Sequence, residues 1–157
     1  MAEQAIKPRV DRDRRLVVGI DPDLVKSGVA IVENGTLTKL YALTFHEIVT
    51  KLAGELKHED ATVIVEDVET DSTTYHRGGT NAKAHAKIAQ NVGQVKGVKR
   101  VLVECLIAEG VNVVQVKPLR GPIKRAKNDA AYFNKITGWT GRTNEDKRDA
   151  ALLALWG

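Results

Sequence analysis

Leu16-Val17-Val18-Gly19-Ile20-Asp21-Pro22-Asp23, followed by Gly28-Val29-Ala30-Ile31-Val32, is the stretch whose reading decides the architecture. Aliphatic and β-branched residues in runs of this length read as buried strands, where a carboxylate has no favourable place. Asp21 stands where the first run gives way to a turn, and Pro22 enforces the stop. Gly28 opens the second run, so the two form a hairpin. An acid fixed there has two uses: it caps its own turn, or it holds something positive.

Working outward, Asn34-Gly35 is a two-residue hairpin turn that leads into a third strand near 37–44. Ile48, Leu52 and Leu56 recur at helical spacing over 45–57. Ala61-Thr62-Val63-Ile64-Val65 reads as a buried strand ending in Glu66-Asp67. Residues 70–82 are polar and contain Gly78-Gly79, which reads as a loop. A long helical pattern then places Val92, Val95, Val98, Leu102 and Leu106 on related faces and stops at Gly110. Val111 to Val116 is the last strand. A basic linker (117–127), a short helix (128–136), a loop (138–143) and a terminal helix (144–156) complete the chain. Residues 1–14 are charge-mixed and read as a flexible N-terminal arm ahead of one domain over 15–157. The order predicts an α/β fold: a five-stranded mixed sheet with flanking helices, antiparallel at its first hairpins and joined by helical crossovers later.

Composition bounds the function classes. A chain of 157 residues with 43% hydrophobic and 28% charged residues suits one well-cored domain and excludes disordered and fibrous classes. The net charge of +4 is compatible with nucleic acid without requiring it. At 4% aromatic, stacking on bases must come from few residues. The lone Cys105 has no disulfide partner and reads as a buried small hydrophobe in a reducing compartment. No run has membrane-spanning length and no signal-peptide core opens the chain, so the expectation is a cytoplasmic protein without a membrane partner. The histidines have no metal spacing, and no phosphate-cradling P-loop or other small-molecule cofactor motif occurs.

The chemistry gathers on carboxylates. Asp21 and Glu66 end strands that one sheet would bring side by side. Asp146 and Asp149, three apart, share a face of the terminal helix, whose other face (Ala150, Leu152, Leu153, Leu155) is core. Singly, each has a structural role open to it: Asp146 favours a helix start, and Asp149 has Lys147 or Arg148 at hand. Jointly, they suit hard divalent cations. Two such ions about 4 Å apart activate water and stabilise a leaving oxygen in phosphodiester hydrolysis.

These motifs resemble those of the RuvC-type Holliday-junction resolvases of the RNase H-like superfamily, particularly divergent phage-borne versions. The likeness lies in Gly19-Ile20-Asp21-Pro22 with Gly28, Val65-Glu66-Asp67-Val68, Gly93-Gln94-Val95-Lys96-Gly97 and Asp146-Lys147-Arg148-Asp149-Ala150, over residues 15–157. It implies an RNase H-like fold and a homodimer that cuts four-way DNA junctions. It implies Asp21, Glu66, Asp146 and Asp149 as ligands of Mg²⁺ or Mn²⁺, two ions per site. Lys117 and Lys127 would be the lysines beside the scissile phosphate, offsetting its developing charge. Lys124 and Arg125 read as phosphate-steering residues, and Arg120 and Lys83 join them as DNA contacts. The family's aromatic residue after the second acidic motif is replaced here by Val68-Glu69-Thr70. Tyr75 and His76, beside Arg77, either supply stacking from the longer loop or are exposed loop residues. Two rival functions keep the fold: a nuclease for RNA or RNA–DNA hybrids, and a catalytically silent junction binder.

Overall fold

The computed structural model describes residues 15–67 and 82–157. Its five strands are β1 (Leu16–Asp21), β2 (Ser27–Glu33), β3 (Thr36–Leu43), β4 (Thr62–Glu66) and β5 (Asn112–Val116), in the order β3-β2-β1-β4-β5. β1 and β3 flank β2 antiparallel, while β4 runs parallel to both β1 and β5. The β2–β3 turn takes φ of 51° at Asn34 and 81° at Gly35, the left-handed pair that an Asn-Gly hairpin turn requires.

Helices cover both faces. Helix α1 (Phe45–Glu47) starts with a capping box between Thr44 and Glu47, continues through a π-turn (Ile48–Leu52) and passes into α2 (Ala53–His58). With α3 (Ala82–Ala108) this layer packs Ile48, Leu52, Leu56, Leu102 and Leu106 on Val18, Ile20, Val63 and Val65. The opposite layer comprises α4 (Pro122–Asn128), α5 (Ala130–Thr137) and α6 (Glu145–Trp156), packed on Val17, Ala30, Val32 and Ile64. Alternation along each strand divides the two cores. All of Ala150 to Trp156 is buried, so α6 is wedged between the sheet and the helices above it.

Three sequence expectations need correction. The basic linker 117–127 contains helix α4, begun by Pro122 at its first turn and anchored by Ala126 and Ile123 in the second core. Cys105 is half-exposed rather than buried. Leu102 and Leu106 of the long helix lie inside the core, while Val98 and Val101 line a groove on its outer side, so the apolar residues of this helix do not share one face. The expected arm 1–14 and the loop with Tyr75, His76 and Arg77 lie outside the described residues. Among those described, no helix is long and apolar enough to cross a membrane.

Candidate active site

Register places the first two acids. Val17 pairs with Thr62 and Ile20 with Val65 across the parallel β1–β4 ladder, which carries Asp21 and Glu66 to one level at adjoining strand ends. Glu66 pairs onward with Val116, and Asp67 N–H donates to the Val116 carbonyl at 2.6 Å, extending the β4–β5 pairing past the glutamate. Ile20 and Val65 face the α3 layer, so by alternation Asp21 and Glu66 face α6.

Glycine sets how near α6 comes. A Cβ on Gly19 would collide with the Ala150 carbonyl, and one on Gly28 with the Asp146 carbonyl. The helix backbone therefore lies directly on the sheet, and its first turns sit beside the Asp21 level. Asn144 caps α6 by accepting from Lys147 N–H at 2.9 Å.

The turn after β1 answers the question left by Asp21. Asp23 Oδ1 accepts from Leu24 N–H at 2.7 Å, and Ser27 Oγ accepts from Asp23 N–H at 3.1 Å. Capping is done by Asp23 and Ser27; among the described residues the Asp21 carboxylate takes no hydrogen bond.

A cleft of about 120 Å³ opens at this edge, lined by Asp21, Glu66, Asp149, Lys99, Lys124 and Lys127, with Leu119 and Leu152 also in its wall. Burial, then repulsion from Asp149, raises the Asp21 pKa from 3.8 to about 7, against the lowering effect of Lys127 and Lys99. Asp146 is not part of the cleft wall. Its pKa is also raised, first by desolvation and then by Asp23. Lys127 Nζ lies 3.5 Å from Asp149 Oδ2, with the two side chains 31% and 15% exposed. Burial disfavours the Lys127 charge, but Asp149 and Asp21 outweigh it and its pKa ends above normal.

The other sequence candidates fall as follows. Lys117 follows β5, is exposed and is absent from the cleft lining. Lys127 reaches the cleft from the last turn of α4 rather than from a helix start. Lys124 lines the cleft. Arg125 turns to Asp129 at 3.7 Å and stacks over the Tyr132 ring at 4.7 Å, while Arg120 is exposed. Lys83 lies in the first turn of α3.

Two residues escaped the sequence reading. Lys99 enters the cleft from α3, and its spacing with Leu102, Val103 and Leu106 marked it as a cation on an apolar stripe. Arg148, 7% exposed, donates through Nε to the Lys127 carbonyl at 2.7 Å and through an Nη to Thr143 Oγ1 at 2.9 Å. It thereby ties α4 and the preceding loop to α6. A lone arginine between two aspartates gave no sequence sign of that tether.

Hard carboxylate oxygens at strand ends are the donors Mg²⁺ or Mn²⁺ prefer, and a divalent cation would offset both the burial and the repulsion from Asp149 that lift Asp21. The donor set fits such an ion in kind. Among the described residues, however, no three acidic, histidine or cysteine side chains converge into a formed metal site. Lys127 is the cation paired within the group.

The sheet order and its two helical layers define an α/β protein of RNase H-like fold. No family model matches the sequence, and no curated protein does. The structure is similar to T. thermophilus RuvC, solved in complex with Holliday junction substrate, with a TM-score of 0.56 at 19% identity over 90% of each chain. The fold is RuvC-like.

Proposed function

We propose that this protein is a metal-dependent, structure-selective endonuclease that resolves four-way and other branched DNA junctions by phosphodiester hydrolysis. The observation that carries the reading is the cleft itself: Asp21, Glu66 and Asp149 line it together with Lys99, Lys124 and Lys127, on a RuvC-like sheet. Carboxylates beside a phosphate are a liability for a pure binder and an asset for a hydrolase that uses cations.

Asp21, Glu66 and Asp149, with Asp146 from the first turn of α6, would hold Mg²⁺ or Mn²⁺, two ions per site. Such ions activate water and stabilise charge on the leaving oxygen. The protein's part is to gather the carboxylates that would hold those ions, to orient the backbone phosphate against them, and to offer Lys127 to its charge. Products carry 5′-phosphate and 3′-hydroxyl ends. Paired incisions call for a homodimer. The groove of Leu24, Phe45, Gly97, Val98 and Val101 supports that reading as an apolar surface beside the β1–β2 turn.

The test is cleavage of a labelled four-way junction beside duplex and RNA–DNA hybrid, with Mg²⁺, Mn²⁺ or EDTA. Symmetric nicking of the junction, lost in EDTA and in Asp21→Asn, supports the proposal. Cutting of hybrid or RNA in its place transfers the same site to another substrate. Tight junction binding with no cleavage in either metal refutes catalysis.

A further inference from the structure

We infer that Lys99 is a phosphate-binding residue, forming with Lys124 a clamp that grips one backbone phosphate from both sides of the sheet edge. The inference deepens the nuclease reading and rests on it.

The argument begins with an oddity of α3. Lys99, Leu102, Val103 and Leu106 follow a 3-1-3 spacing that puts them on one stripe, and the last three are buried in the core. A cation on that stripe is unfavourable unless it reaches polar surroundings. Lys99 does so because it lies on the N-terminal side of the stripe. The chain leaves α3 at Ala108 to enter β5 at Asn112, so the C-terminal end of α3 meets the beginning of β5. The preceding turns, Lys99 included, therefore lie toward the strand ends that carry Asp21 and Glu66.

Lys124 comes from the other side. α3 belongs to the layer packed on Val18 and Ile20, α4 to the layer packed on Val17 and Ile64. The strand-end carboxylates lie between two cations delivered by opposite layers of the fold. Lys127 is paired with Asp149, and Arg125 with Asp129. Among the described residues neither Lys99 nor Lys124 makes a side-chain hydrogen bond or ion pair. Lys99 acts on Asp21 through space without a direct contact, and both ammonium groups can take an anion that enters the cleft. A phosphodiester crossing this edge would meet repulsion from the acids alone; flanking ammonium groups reverse the local field and fix the phosphate above the carboxylates.

The experiment measures binding of fluorescent four-way junction, duplex and RNA–DNA hybrid in EDTA over a series of salt concentrations. The proteins are the wild type, Lys99→Met, Lys99→Gln, Lys99→Arg and Lys57→Met. Lys57 packs beside Gly110, ahead of β5 and at the opposite edge of the sheet, and serves as a control cation. Removing the Lys99 charge should weaken binding about threefold to tenfold and lower the salt slope by about one, as loss of a single phosphate contact does. Lys99→Arg should restore the slope, and Lys57→Met should leave it unchanged. Two charge-removing variants guard against one that fails to fold.

If the wild type binds and cuts junctions while both neutral variants keep its salt slope, Lys99 is only a static counter-charge; the clamp is overturned and the nuclease reading stands. If the slope falls on duplex or hybrid in a protein with no junction preference and no junction cleavage, the clamp stands and the resolvase reading falls. A wild type that binds no nucleic acid overturns both.

Discussion

Lys127 Nζ and Asp149 Oδ2 lie 3.5 Å apart, joining α4 to α6 across the cleft that Asp21 and Glu66 enter from the sheet. The lysine is electrostatically tied to all three acids, and it holds the Asp21 pKa lower than burial and Asp149 would leave it. Replacing Lys127 by Met should therefore move the Asp21 titration above its midpoint of about 7. Carbon-detected NMR of the labelled carboxylates reads this directly. An unmoved midpoint would mean that Lys127 does not act on the Asp21 proton.

Asp21 makes stability depend on pH in a direction opposite to an ordinary salt-bridged acid. The unfolded chain releases this proton near pH 3.8 and the folded protein near 7, so between those values the folded state binds more protons. The stabilisation is fully present below 3.8 and is lost as pH rises through 7. Asp21→Asn escapes that loss. In metal-free buffer at pH 8 it should be more stable than the wild type by roughly 2–4 kcal/mol, because each tenfold change in proton affinity is worth about 1.4 kcal/mol. The gap should close near pH 4. Urea melts at the two pH values check it, and equal stabilities at pH 8 would count against a buried, repelled Asp21. Added Mg²⁺ should raise the wild-type melting temperature and leave that of Asp21→Asn in place.

The strands and the acidic positions were legible because they rest on local signals. Apolar runs bounded by Pro22 and the Asn34-Gly35 turn mark strands whatever packs on them. Helix α4 was not legible. Seven residues with only Ile123 and Ala126 facing the core carry too little periodicity, and the five charges of the linker 117–127 read as solvent-exposed loop. Lys99 was legible in principle, as a polar residue on an apolar stripe, but its partner layer lies far along the chain. The placing of Lys117 outside the cleft follows from strand alternation after Val116, which sequence spacing to the carboxylates does not reveal.

Gly28 reads in sequence as a strand opener, yet in the structure its bare Cα is what lets α6 approach. It is the ladder partner of Asp21, and the Asp146 carbonyl lies over it. A methyl group at Gly28 must push the start of α6 off the sheet, with a destabilisation of about 1–3 kcal/mol. Activity should fall further than stability does, because the displaced segment carries both Asp146 and Asp149. Comparing the melting temperature of Gly28→Ala with its single-turnover rate separates the two. Loss of stability with the rate retained would show that the helix can shift without disturbing its carboxylates.

Among the described residues, Arg148 is the one buried charged side chain, and its partners are all backbone or hydroxyl oxygens: the Lys127 carbonyl, the Thr143 carbonyl at 3.2 Å and Thr143 Oγ1. Its fork therefore spends its donors on fixing the chain ends of α4 and the loop before α6, and leaves Asp149 to Lys127. Arg148→Met removes those donors and strands the accepting carbonyls, which should destabilise the fold by about 2–4 kcal/mol. Arg148→Lys keeps the charge but offers one nitrogen where two separate atoms now bind, so it should recover less than half of that loss. Because Lys127 is tethered through its own carbonyl, both variants should also loosen the Lys127–Asp149 pair, seen as a fall in the Lys127 pKa by NMR. Full rescue by lysine would reduce Arg148 to a buried positive charge and remove the argument that its geometry positions the cleft.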